Sequence, residues 1–506
     1  MSGSPDGRGA RPGRAASAIP LAALVGTLAG LAAFFLVRPA LQDLPYYRPR
    51  PGGRTYDYWQ LVVVASVPWA VAMWSEVRAP RVRPGVLLGI AAVLYVALIP
   101  APAQQSQDVY QYLVYGRMAV DGYSPFAVLP VDANSPWLAY SSWHRTASVY
   151  GPAWTALSQV AVWLGRSLTG AFLIVKAAAA ILTVLTAWGL ARAAGLRRTA
   201  PGPGGPEGPG SGPVSPSVAV LAFAFNPLVF VSGGLGAHAD VAVAAAFAWA
   251  VVAERRGRPW RVTALLAVAA LVKPYAALGL AVWLIALWRR SGPAAAFRHA
   301  GASAAAAVVA FAPYWGGLDT FRGLAEIGSR ASASLIGSLV RIAAGNPDSA
   351  NAGATLEGAA GRIVALVLIG AGIAWAARSR TTRDDPWPAA AAVSLLYVAV
   401  TPWYLYWHLL GALALAIAAA RPALLAGALT FGASSMIVVP GGRLGGEVPG
   451  LLIQTALRYA PPIAAGVLTY TRPRADRRPS SRTGRLRGRD VAPPGAGAAG
   501  GPRDAV

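Results

Sequence analysis

The chain has 506 residues, of which 55% are hydrophobic and only 13% charged; a soluble domain carries about 25% charge, so a soluble enzyme is excluded and a polytopic membrane protein expected. Cysteine is absent, which removes disulfides, thiolate metal sites and cysteine nucleophiles. The formal net charge of +24 would suit nucleic acid, but arginine-rich cytoplasmic loops account for it in a membrane protein, so the expected partner is a lipid bilayer and no nucleic acid.

Residues 1–18 are rich in Gly, Pro, Arg and Ser and read as a disordered cytoplasmic amino terminus. Residues 19–470 read as one transmembrane domain, and residues 471–506 as a disordered basic cytoplasmic tail. Apolar runs are expected to cross the bilayer near 19–37, 58–74, 86–103, 171–190, 218–232, 241–253, 262–272, 276–288, 300–315, 363–377, 389–400, 404–420, 422–438 and 450–470. The first follows an Arg-bearing start without a small-residue cleavage site, so it reads as a retained helix and not a removed signal. Residues 199–216 are low-complexity and read as a cytoplasmic linker.

Two polar stretches, 104–152 and 317–360, interrupt this apolar text and read as outer loops. The segment 152–164 is read as a juxtamembrane or re-entrant helix. If it crossed, five later basic loops would face outward, against the positive-inside rule. With that choice the Arg-rich segments 76–83, 192–198, 254–261, 289–290, 378–383 and 472–489 are all cytoplasmic. The expected architecture is all-α, multi-pass in the plasma membrane, with about 14 transmembrane helices and outer-face juxtamembrane helices. Asp43, Asp108, Arg117, His144, Tyr150, His238, Asp240, Lys273, Trp403 and Tyr404 then gather on or near the non-cytoplasmic face.

Asp108 opens a stretch of helical spacing that puts Asp108, Tyr112 and Tyr115 on one face. It serves either as a first-turn acid favoured by the helix dipole or as a general base on an acceptor hydroxyl. His238 and Asp240 follow a Gly-rich turn at the outer start of a span. They either cap that helix or belong to a site, as ionisable residues at membrane depth do by default. Only two lysines, Lys176 and Lys273, stand among 44 basic residues. Lys273, next to Pro274 between two short apolar halves, either snorkels or binds a phosphate. Lys176 falls in a span with no reactive neighbour. In TPWYLYWHLL at 401–410, Trp403 and Tyr404 either mark the bilayer interface or line a sugar or lipid groove, with His408 one turn further in. No acidic pair at ligand spacing occurs, so no metal or other cofactor is required.

Five pieces in order carry a resemblance: DVYQYLVYGRMAVDGYSPF (108–126), VYGPAW (149–154), NPLVFVSGGLGAHAD (226–240), VKPYA (272–276) and TPWYLYW (401–407). The set resembles the GT-C membrane glycosyltransferases, in particular the actinobacterial polyprenyl-phosphate-mannose-dependent α-mannosyltransferases of lipomannan-type glycolipids. The resemblance implies a multi-helix fold, a catalytic centre on the non-cytoplasmic face, a lipid-phosphate sugar donor and inversion at the transferred sugar. It implies an acid near the start of an outer loop. Asp108 matches it, and Asp43 after the first helix is the alternative. The family commonly has His-Asn-Asp where this chain has His238, Ala239 and Asp240.

The expected activity is transfer of a sugar, mannose first, from a polyprenyl-phosphate donor to a hydroxyl of a cell-envelope glycan or glycolipid. The leaving phosphate needs cationic stabilisation, for which Lys273, Arg117, Arg145 and His238 are the candidates in that order, with Tyr112, Tyr115, His144, Tyr150 and Asp240 around them. Alternatives are another polyprenyl-phosphate sugar such as arabinose or glucose, a lipid or sugar transporter or flippase, and a structural partner in an envelope assembly.

Overall fold

Prolines and small polar residues set the helix starts. Pro84, Pro152, Pro216, Pro259 and Pro293 each occupy one of the first two positions of a helix, where the missing N–H has no partner to lose. Ser215 also caps the helix that starts at Pro216, and Ser334 and Thr355 cap two others, by accepting from Val218, Gly337 and Gly358 N–H groups respectively. The computed structural model describes residues 15–37, 56–103, 106, 108–199, 214–332, 334–345, 351–438 and 447–471. Asp43, most of the 199–216 linker and most of both termini lie outside the described residues.

The helices in chain order are α1 (Ala15–Val37), α2 (Tyr56–Arg78), α3 (Pro84–Ala97), α4 (Asp108–Val120), α5 (Pro152–Gly165), α6 (Leu168–Thr199) and α7 (Pro216–Ala224). A short α8 (Pro227–Val229) runs into a π-helical turn, Phe230–Leu235. Then come α9 (Asp240–Arg255), α10 (Pro259–Val272), α11 (Ala277–Ser291), α12 (Pro293–Phe311), α13 (Arg322–Gly328), α14 (Leu335–Ala343) and α15 (Leu356–Arg378). The series closes with α16 (Arg380–Asp384), α17 (Trp387–Val400), α18 (Leu409–Ala419), α19 (Pro422–Val438) and α20 (Glu447–Thr471). Among the described residues the only β pairing is one isolated bridge between Gly316 and Leu318. The all-helical class is as expected.

Among the described residues, four helical segments are long and apolar enough to cross a membrane: Leu168–Leu196, Pro293–Tyr314, Leu356–Arg378 and Val448–Tyr470. A fifth arises if Pro216–Ala224 and Pro227–Leu235, bent by 47° against each other, count as one. Six other apolar helices have 10–17 residues, below the roughly 20 of a straight crossing. The expected count of about 14 crossings therefore does not follow from helix length and composition. The expected span at 218–232 breaks at Asn226–Pro227 for a local reason. Pro227 has no N–H to continue the helix, and Asn226 accepts from Leu228 N–H at 2.9 Å to start the next one. The stretch 317–360, expected as a loop, carries α13, α14 and the start of α15.

α9 and α18 form the centre. Every residue of α18 is buried, and α9 exposes little along its length, as expected of helices apolar on all sides. α9 packs against α6, α10 and α18, and α4 packs on α5, which in turn packs on α6. Gly151 fixes where the loop before α5 crosses α10: its N–H bonds to Val272 O at 2.8 Å, and a Cβ there would collide with the Leu271 backbone. That approach sets Tyr150 over the end of α10.

Candidate active site

The breaks between helices converge on one place. The start of α4 brings Asp108, the turn before α9 brings His238 and Asp240, and the α10–α11 junction brings Lys273 and Tyr275. The segment before α18 brings Trp403, Trp407 and His408, and the polar loop before α5 brings Trp143 and Tyr150. A cavity of about 220 Å³ is lined by Asp108, Trp143, Tyr150, Lys273, Trp403 and His408 among others. Ligand pockets usually measure about 300–1,000 Å³, so this one is small by that measure.

Asp108 sits at the helix start as spacing predicts, but its carboxylate is turned inward. Ser106 Oγ, and not the Asp108 side chain, accepts the N–H of residue 108 at 3.0 Å. Asp108 Oδ2 lies 3.3 Å from His238 Nδ1, with both side chains buried. Burial by itself raises the Asp108 carboxyl, but the adjoining His238, with Lys273 and Ser106 behind it, outweighs burial and holds it below its ordinary value. His238 is fixed from its other side by Trp407, whose ring stacks on the imidazole at 3.8 Å with 13° between planes.

Asp240, two residues on, faces a different partner. Its Oδ2 stands 2.7 Å from Lys273 Nζ, and its Oδ1 accepts from the Tyr275 hydroxyl at 2.6 Å. Asp240 is 0% exposed and Lys273 is 7% exposed, so this is an ion pair in the interior. Lys273 Nζ also lies 5.4 Å from the Tyr150 ring centroid. His238 and Asp240 thus serve two adjacent pairs, which agrees with their not sharing one helical face. Among the described residues no three His, Asp or Glu side chains gather as a metal would require.

The turn holding His238 is built from below. The π-helical turn ends with Gly236 N–H on Val231 O at 2.7 Å and His238 N–H on Ser232 O at 3.0 Å. Between them Ala237 takes a φ of 49°, a left-handed conformation that is rare outside glycine. Tyr112 Oη accepts the Ala239 N–H at 3.2 Å. Lys176 has neighbours that its sequence context did not announce: its buried Nζ donates to Gly234 O at 2.5 Å and to Leu235 O at 3.0 Å. The wider π turn leaves those carbonyls in want of donors, and a buried ammonium needs acceptors. Each supplies the other.

The remaining predicted residues divide. Tyr150 lines the cavity, and Tyr112 and Tyr115 back it, with ring centroids 4.7 and 6.3 Å from Tyr150. Tyr115 is tied by its hydroxyl to Thr146 O at 2.7 Å. His144 and Arg145 border a second, more open cavity of about 530 Å³ beside the first. Arg117 is not in either wall; it pairs with Asp121 at 2.8 Å. Tyr404 is buried away from the cavity and donates to Ser435 Oγ at 2.8 Å. Asp43 lies outside the described residues. Sequence reasoning singles out none of Trp143, Tyr275, Arg330 or Trp407, all in the cavity wall. Trp407 stands inside the quoted 401–407 motif, where its interface-like composition hides it. Arg330 lies in the stretch expected as a loop.

The family model described as alpha-(1->6)-mannopyranosyltransferase, N-terminal domain, matches residues 21–289, more than half of the chain. The chain is also similar to alpha-(1->6)-mannopyranosyltransferase A of Mycobacterium tuberculosis, with 29% identity over 206 residues. That similarity covers 39% of this chain and 37% of the relative's own length. No solved structure matches.

Proposed function

We propose, from the premise that the chain belongs to the alpha-(1->6)-mannopyranosyltransferase family, that it transfers mannose from a polyprenyl-phosphate donor to a hydroxyl of a cell-envelope glycan or glycolipid. The reaction is placed on the non-cytoplasmic face of the plasma membrane, within a GT-C-like multi-pass fold. One observation carries the reading: Asp108, a carboxylate in a cavity wall, is oriented by His238, which is itself held by the Trp407 ring.

In this reading the acceptor hydroxyl enters the cavity and gives its proton to Asp108. Its oxygen bonds to the anomeric carbon of mannose as the bond from that carbon to the phosphate oxygen breaks, and the electron pair leaves with the phosphate. Attack from the face opposite the leaving group inverts the centre, so a β-linked donor gives an α-linked product. The aromatic walls, Trp143, Tyr150 and Trp403, offer flat faces to a sugar ring and exclude water from the anomeric carbon. The arginine distribution along the chain supports the sidedness. The test is to incubate right-side-out membrane vesicles containing the full chain with labelled prenyl-phosphate mannose and an impermeant mannoside acceptor, and to identify the linkage formed. Label in an α-linked mannoside is the expected result. No transfer from prenyl-phosphate mannose, or transfer only in inverted vesicles, would overturn the donor or the sidedness respectively.

A further inference from the structure

A transferase that expels a phosphate needs a cation where the charge develops. Lys273 is the first expectation, yet its charge is already met by Asp240 at 2.7 Å in the interior. Arg117 is held by Asp121 outside the cavity walls. Arg330 fits the requirement better. It stands two residues past the end of α13 and forms part of the wall shared by the inner cavity and the more open one beside it.

Its surroundings orient the guanidinium without neutralising it. The guanidinium carbon lies 4.5 Å from the Trp143 ring centroid and 5.8 Å from that of Trp403, and these two rings meet edge to face at 6.3 Å. Nη2 donates to Thr146 Oγ1 at 3.3 Å. Among the described residues no carboxylate pairs with Arg330. The nearest in sequence, Glu326, is engaged elsewhere: it accepts from Ala147 N–H at 3.1 Å and from Arg322 Nε at 2.9 Å. A guanidinium has five N–H donors in a planar fork that matches phosphate oxygens, and aromatic walls hold that plane while leaving its edge for a ligand.

We propose that Arg330 binds the phosphate of the lipid-linked donor and takes up the charge released on transfer. This rests on the proposed function. The donor is a phosphodiester with one negative charge. When the bond to the anomeric carbon breaks, the electron pair stays on the phosphate oxygen and leaves a prenyl phosphate with two. The acceptor's proton goes to Asp108, so the added negative charge stays on the phosphate, beside a cavity-wall cation whose charge, unlike that of Lys273, no carboxylate meets among the described residues. Asp108, on the same inner cavity wall, is left to the sugar end.

The experiment uses the full chain in membranes, a labelled short-chain prenyl-phosphate mannose as donor and the matching prenyl phosphate as product inhibitor. Arg330→Gln is expected to raise both the donor KM and the inhibition constant of prenyl phosphate by roughly 10- to 100-fold, the range for loss of one charged hydrogen bond, with the acceptor KM changed less than about two-fold. Arg330→Lys, which keeps the charge and loses the fork, is expected to fall between the two and serves as the test if the Gln variant does not accumulate. Wild-type donor KM and inhibition in the variants, or equal losses for donor and acceptor, would overturn the assignment while leaving the transferase reading intact. Failure of the wild-type chain to use any prenyl-phosphate mannose would overturn that reading and this assignment with it.

Discussion

Replacing Lys273 with Met separates a structural charge from a ligand-binding one. Lys273 Nζ and Asp240 Oδ2 are 2.7 Å apart in the interior, so their attraction is about 6 kcal/mol at an effective dielectric of about 20. Desolvation offsets much of that when the pair forms, but removing one partner strands the other charge and costs about 3–5 kcal/mol. The Lys273→Met variant should therefore unfold with that loss when purified chain in mixed micelles is titrated with denaturant and followed by circular dichroism. The Lys273→Met/Asp240→Asn double variant should regain most of it, because no lone charge is left and the Asn side chain still accepts from the Tyr275 hydroxyl. A coupling energy below about 0.5 kcal/mol in this cycle would refute the argument that the pair is a buried structural unit. It would also return Lys273 to candidacy as a phosphate ligand.

Asp108→Asn keeps side-chain size and capping capacity but removes basicity, so transfer should fall by about 10²-fold or more while the protein still accumulates. Asp43→Asn is the matched control, and loss of activity there with retention in Asp108→Asn would move the role. Because the folded Asp108 carboxyl titrates below its ordinary value of 3.8, its contribution to stability is complete above the unfolded value and is lost only as pH falls through the folded one. Unfolding midpoints of wild type should thus decline toward those of Asp108→Asn below about pH 4, and parallel curves would refute the coupling to His238. Lys176→Met should lower transfer by misplacing the His238 turn, since the Gly234 and Leu235 carbonyls lose their donor at a cost of about 1–3 kcal/mol each. Wild-type activity in that variant would show that the turn is held without it.

Much of the frame is legible from the chain. The run 422–438 coincides with α19, Asp108 opens α4 where its spacing begins, and Pro274 marks the α10–α11 break beside Lys273. Errors arise where one residue overrides a hydropathy average. Pro227 splits an apolar run that reads as one span, and the helix starting at Pro84 ends at Ala97 although apolar residues continue. Some residues of the cavity wall are legible in the sequence, but their pairs are not. Sequence separation hides that Asp108 meets His238 while Asp240 meets Lys273, because such contacts depend on how α4, α9 and α10 pack. Arg330 and Trp407 stay hidden for a related reason. An arginine in a polar stretch and a tryptophan near an interface are ordinary in a membrane protein, and only their convergence on one cavity distinguishes them.

The stacking of His238 on Trp407 has a consequence for how the protein is made. Ribosomes deliver residues in order, and the amino-terminal part folds first. Asp108, His238 and Lys273 therefore reach the membrane well before the segment that carries Trp407. Until that segment arrives, the imidazole has no ring against it and the cavity lacks Trp403, Trp407 and His408 from its wall. A chain that stalls or is cut before residue 401 carries the carboxylate but not the chamber that directs it. Half-made copies in the membrane are then without a closed cavity wall around Asp108.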